Sequence, residues 1–423
     1  MKYDFETIME RKGFDAMALD AIGSSEGRTL KPTQPKEGYS VIPMWIADMN
    51  FATAPSVTEQ ILKRASHPAF GYFYASDEFY QSIISWHKKR HGMDIQKEKI
   101  GYENGVLGCI ATALCTFLEP GQGVLLHSPA YVGFSNVLKD TGRKPVLSPL
   151  KKDEQGIWRM DYEDMEQKIR ENEVRAAIFC SPHNPCGRVW EKWEIKKAMQ
   201  LFQKYDVLVL SDEIWSDLVF ENHTHIPAYS ISDDAKMRTI SIYAPSKTFN
   251  LAGLTASYHL IFNPEIKKKM EQASAVSHYN SMNVLSMHAL IGAYSITGEE
   301  WLEELNAVLE ENTRYMYQFF KEEIDGISLS KPEGTYMLFL HCEEYCKKHN
   351  ITLAELVQKG WDVGVAWQNG EQFYDPWGIR INCAVPFSLI LEAIDRLKKH
   401  VFETNFSCEP LFVKENSVLA QAI

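Results

Sequence analysis

From about residue 100 onward, short uninterrupted apolar runs alternate with segments of helical period. Residues 123–127 (GVLLH), 175–181 (RAAIFCS) and 206–211 (DVLVLS) predict buried strands, and residues 239–243 and 255–262 predict two more. These runs are continuous rather than alternating. Both faces of the sheet are therefore covered, which indicates a mainly parallel sheet. Residues 161–171 and 193–205 carry the helical period between them.

The character changes near residue 296. Residues 298–324 predict a long amphipathic helix with Trp301, Leu302, Leu305, Val308 and Leu309 on one stripe. Short strands at 334–340 and 379–383 and a helix at 388–400 follow. The class is thus α/β: a large domain over 46–295, and a smaller α+β domain made from 1–45 and 296–401. Residues 402–423 form a C-terminal extension. No internal repeat or low-complexity tract is present.

The chain has 423 residues, 45% of them apolar, which suits a globular protein with a substantial core. Its net charge is −12, with a pI near 5.6, so no nucleic-acid partner is expected. The run Lys267, Lys268, Lys269 reads as a solvated helix face. The eight cysteines contain no C-x-x-C pair. They read as free thiols in a reducing compartment, and no metal is expected. No stretch approaches the roughly 18 apolar residues of a membrane span, and the N-terminus lacks a leader pattern. The expected location is the cytoplasm, away from any membrane.

Three strand ends carry chemistry. Asn184-Pro185-Cys186-Gly187 follows one strand, Asp212-Glu213 ends the next, and Ser246-Lys247 follows a third. Open parallel sheets bind ligands at the carboxyl ends of their strands. An amide, a carboxylate and an amine would therefore meet in one pocket. Pyridoxal 5'-phosphate (PLP) requires that set: a lysine for its aldehyde and a carboxylate for its pyridine nitrogen. Asn184 can donate to the ring oxygen and Ser246 can hold phosphate. Each feature is common alone; the order and spacing together are specific.

With these motifs the chain resembles the fold-type I PLP enzymes, and among them the MalY/PatB cystathionine β-lyase group, from about residue 3 to residue 400. The resemblance rests on Met44-Trp45-Ile46-Ala47-Asp48-Met49, Phe70-Gly71-Tyr72, the run from Ser181 to Trp190, Ser211-Asp212-Glu213-Ile214, the run from Ala244 to Asn250, and Arg380-Ile381-Asn382. It implies an aspartate-aminotransferase-like fold in which Lys247 holds the cofactor and moves the Cα proton. It further implies that Asp212 pairs with the pyridine nitrogen, Asn184 with the ring oxygen, and Tyr131 stacks on the ring. Arg380 would clamp the α-carboxylate of an amino-acid substrate. Phosphate would sit on Gly105, Val106 and Leu107 at a helix start, helped by Ser246. Tyr72 would reach it from the partner of a homodimer.

Three positions depart from the group's pattern: Asn50 replaces an aspartate, Trp215 replaces a histidine, and Thr255 stands where main aminotransferases carry arginine. Trp215 is expected against the substrate. The implied activity is carbon–sulfur β-lysis of cysteine-type thioethers to pyruvate, ammonia and a thiol. Amino transfer to a 2-oxo acid is the alternative reaction, and a regulatory binding role is an alternative of another class.

Overall fold

A computed structural model describes residues 1–28 and 30–402. Its centre is a seven-stranded sheet: β1 (Ile100–Glu103), β2 (Gly123–Ser128), β3 (Lys144–Pro149), β4 (Ala176–Cys180), β5 (Leu208–Asp212), β6 (Thr239–Tyr243) and β7 (Ser257–Ile261). The spatial order is β1-β7-β6-β5-β4-β2-β3. The pairs β2/β3, β2/β4, β4/β5 and β5/β6 are parallel, whereas β7 runs antiparallel to both neighbours. Every residue of β2, β4, β6 and β7 is buried, as the continuous apolar runs required. Helices cover the faces: α1 (Val106–Phe117), α2 (Val132–Asp140), α3 (Tyr162–Glu171), α4 (Lys192–Lys204) and α5 (Pro264–Ser277).

Strand starts fall later than the apolar runs suggest where the backbone turns left-handed. Asp206 (φ 51°) delays β5 to residue 208, and Thr255 (φ 44°) delays β7 to residue 257. Neither residue has the extended backbone of a strand.

The long helix α6 (Ile296–Glu323) ties two apolar cores together. Trp301, Leu302, Leu305 and Leu309 pack into the core beside the sheet. Met316, Phe319 and Phe320 enter a second core. Over that core lie an antiparallel sheet, order β8-β9-β11-β10, and helix α7 (Phe387–His400). The strands are β8 (Ser328–Leu329), β9 (Met337–His341), β10 (Gln368–Asn369) and β11 (Gly378–Asn382). Each fully buried large side chain in these cores contributes roughly 1.5–3 kcal/mol. The N-terminal segment divides between the cores. Ile42–Pro43 pairs in parallel with Val365–Ala366, while Phe5 packs edge-on against Phe51, ring centroids 5.4 Å apart. The extension expected over 402–423 lies, beyond Phe402, outside the described residues.

Candidate active site

The carboxyl ends of β4, β5 and β6 lie side by side, because Cys180 pairs with Asp212 and Asp212 with Ile242. The loops leaving those ends bring Asn184, Asp212, Ser246 and Lys247 to one cavity of about 300 Å³. Gly105, Val106 and Leu107 close it from the start of α1, and Tyr131, the residue preceding α2, closes another side. Gly105 has φ 93°, a conformation open to glycine, and it turns the chain from β1 into α1. The first N–H groups of a helix lack intrahelical acceptors and favour an anion.

Lys247 is half-buried and its Nζ donates to the Ala47 carbonyl at 2.7 Å. Burial lowers its ammonium to about 8; Asp48 opposes the shift, Arg380 adds to it, and Asp212 opposes it. Lys247 is thus close to losing its proton at neutral pH, as an amine that binds an aldehyde and shuttles a proton must be. Burial pushes the Asp212 carboxyl up to about 7, against the Ile214 N–H and the Lys247 charge. Among the described residues its Oδ1 accepts only that Ile214 N–H, at 3.2 Å. A buried carboxylate held by one amide is short of a cationic donor, and a protonated pyridine nitrogen supplies one. The residues present therefore fit PLP: an anion cradle, a reactive amine and an undersatisfied carboxylate on one cavity.

A second cavity of about 580 Å³ shares Ala47, Tyr131, Lys247 and Ala252 with the first, and Arg380 lies on its wall. The Arg380 guanidinium is buried. Nη1 donates to Asn184 Oδ1 at 3.1 Å, and Nη2 donates to the Trp45 carbonyl at 2.9 Å and to Gln368 Oε1 at 2.6 Å. Its Nε is buried without a partner. Among the described residues no carboxylate pairs with it, and burial lowers its pKa to about 10. A desolvated guanidinium held only by neutral oxygens is prepared for a carboxylate. Burial likewise pushes the Tyr131 phenol up, so it stays neutral.

Tyr72 and Trp215 take different positions. Tyr72 is fully exposed between two helices, beside exposed Phe70 and Tyr74, and lines neither cavity of this chain. Trp215 lines the first cavity and is absent from the walls of the second. The tight turn after β5, closed by Ser216 N–H to the Glu213 carbonyl at 3.0 Å, keeps its indole beside Asp212. There it packs edge-on against Tyr336 at 4.7 Å. Trp215 therefore shares a cavity with Asp212 and Ser246 rather than with Arg380.

Sequence reasoning missed Arg11, Asp48 and Gln368, which line the second cavity. Asp48 stood inside a quoted motif and offered a signal; Arg11 offered none. A buried trio of Glu103, Cys109 and His259 also comes together. His259 Nδ1 and Asn280 Nδ2 each bond the Glu103 carboxylate at 2.7 Å, so it is satisfied without an ion.

A large α/β layer with these groups at its strand ends defines a PLP-type site. The sequence model of the family "aminotransferase class I and II" matches residues 40–397, and the chain belongs to that family. It is similar to cystathionine beta-lyase PatB of Bacillus subtilis, 31% identical over 93% of this chain and 99% of that protein. It is 28% identical to protein MalY of Escherichia coli over 80% of this chain and 83% of that one. The crystal structure of cystalysin from Treponema denticola, which contains a PLP cofactor, superposes with a TM-score of 0.85. That pair is 29% identical over 94% of this chain and 98% of that chain. No helix among the described residues is long and apolar enough to cross a membrane.

Proposed function

We propose that this protein is a PLP-dependent carbon–sulfur β-lyase that cleaves cysteine-type thioethers. The observation that carries the reading is the pairing of two cavities across Lys247: Asp212 and the α1 cradle on one side, the unpaired Arg380 on the other. PLP, when bound, supplies an electron sink for bonds broken next to an amino acid's nitrogen-bearing carbon. Lys247 holds it, Asp212 keeps a proton on its ring nitrogen, Asn184 donates to its ring oxygen, and residues 105–107 with Ser246 take its phosphate. Arg380 fixes the substrate α-carboxylate, which orients Cα toward Lys247. Neutral Lys247 Nζ removes the α-proton. Tyr131 bounds both cavities and keeps water from the reacting carbon. With Cα and the carboxylate fixed, the Cβ substituent points into the rest of the second cavity, where a thiol can leave.

The resemblance to proteins named for β-lysis supports the lyase reading. The family name itself supports amino transfer as the second reading, since both reactions share proton removal by Lys247. The same proposal includes a cytoplasmic homodimer, in which the exposed Tyr72 completes the phosphate site of the partner.

The test is direct. Purified holoenzyme is given L-cystathionine and S-alkyl-L-cysteines, with pyruvate and thiol measured, and then a 2-oxo acid acceptor. Pyruvate and thiol in equal amounts are expected, and Lys247→Ala should abolish both along with the borohydride-trapped adduct. Stoichiometric amino transfer without pyruvate would replace the lyase reading with the aminotransferase one.

A further inference from the structure

The second cavity is far larger than an α-carboxylate and a Cβ require, and its outer wall is charged. Arg11, from the N-terminal segment, lines it together with Asp15 and Asp48. Arg11 Nη2 donates to Asp48 Oδ2 at 2.7 Å. Arg11 Nη1 donates to the Met49 carbonyl at 2.8 Å and to Asn50 Oδ1 at 2.9 Å. A guanidinium has five N–H groups. Three are used here, so Nε–H and one Nη2–H donate to nothing among the described residues. Asp48 Oδ1 is buried with no hydrogen-bond partner among the described residues.

Both unmet groups sit on the same ion pair at the edge of the same cavity. Free cationic donors on half-buried Arg11, beside a carboxylate oxygen of Asp48, complement a group with both charges. Asn50 sets the balance. Its neutral amide oxygen accepts a hydrogen bond from Arg11 where a carboxylate would place a second negative charge beside the guanidinium.

Resting on the β-lyase reading, we infer that Arg11, poised by Asn50, is the specificity residue for the leaving thiol. It selects thioethers whose sulfur carries a second, charged end. A carboxylate on the departing thiol meets the free Arg11 N–H groups, and an ammonium beside it meets Asp48 Oδ1. A short alkyl thiol makes neither contact, and a site that hydrogen-bonds a polar group of one substrate discriminates against the analogue lacking it.

Three substrates test this: L-cystathionine, with carboxylate and ammonium on the leaving thiol; S-(2-carboxyethyl)-L-cysteine, with carboxylate only; and S-propyl-L-cysteine, with neither. kcat/KM is read from pyruvate, and Kd from the absorbance change of the bound cofactor. Wild type should prefer cystathionine, then the carboxyethyl compound, with S-propyl-L-cysteine at least about tenfold behind. Arg11→Gln should remove most of that preference while S-propyl-L-cysteine stays within a few-fold. Asn50→Asp leaves Arg11 in place and should shrink the preference in the same direction. If Arg11 only fastens the N-terminal segment, both variants lower all three substrates alike and the ratios hold, which overturns the inference. If wild type forms no pyruvate from any of them, the lyase reading fails; the order of Kd values then decides the Arg11 assignment separately.

Discussion

Asn184 Oδ1 accepts a hydrogen bond from Arg380 Nη1 at 3.1 Å, joining two residues 196 positions apart in the chain. Asn184 lines the first cavity and Arg380 the second, so one contact couples the cavities proposed for cofactor and substrate. Arg380→Lys should therefore do more than shorten a side chain. A lysine cannot serve Asn184, Gln368, Trp45 and a carboxylate in a planar fork. Losing one charge-assisted pair, worth roughly 1.5–3 kcal/mol, predicts a drop in kcat/KM of about 10- to 100-fold, mostly in KM. Steady-state kinetics on L-cystathionine check this; an unchanged KM would remove Arg380 from substrate binding.

Asp212 gives a pH signature in the cofactor-free protein. Its carboxyl is raised from 3.8 to about 7 in the fold. Between those values the folded protein holds a proton that the unfolded chain has released. Stability from this group is full below about pH 4 and lost as pH rises to 7, by up to about 4 kcal/mol at 1.36 kcal/mol per unit. Asp212→Asn removes the loss. Cofactor-free Asp212→Asn should melt above wild type at pH 7 and approach it near pH 4. Adding PLP should raise wild type more than the variant. Melting curves that shift in parallel across pH would show that Asp212 is not strained by burial. In the holoenzyme the same variant should lose most activity, because an amide cannot hold the ring proton.

Tyr72 is exposed and lies outside both cavities of its own chain. If it completes a partner's site, inactive Lys247→Ala chains mixed with inactive Tyr72→Ala chains regain activity, since one hybrid site is intact. Activity regained should approach about a quarter of wild type for random pairing. A fully active monomer in sedimentation would exclude the composite site.

Trp215 lines the cofactor cavity and packs on Tyr336. Trp215→His should change the absorbance of the bound cofactor and its affinity, because the indole is a cavity wall there. The ratio of kcat/KM between cystathionine and an S-alkyl cysteine should stay within about twofold, in contrast to the Arg11 and Asn50 variants. A large change in that ratio would return Trp215 to the substrate side.

The sequence by itself determined the local elements and the order of the reactive groups. Short continuous apolar runs bounded by turn residues read as buried strands, and a strand end fixes where the next loop begins. Hence β4, β5 and β6, with Asn184, Asp212 and Lys247 after or at their ends, were legible before any coordinates. The family motifs supplied Arg380 and the cradle at Gly105. The antiparallel sense of β7 was not legible, because a buried strand has the same apolar pattern in either direction. Nor was the cavity that Trp215 lines, which depends on the four-residue turn from Glu213 to Ser216. Only tertiary closure brought Arg11 to Asp48, 37 residues on, and set both beside Lys247. An ion pair of that kind has no period in the sequence. It exists because the N-terminal segment folds back to the wall of the pocket, where Arg11 meets Asp48, Met49 and Asn50.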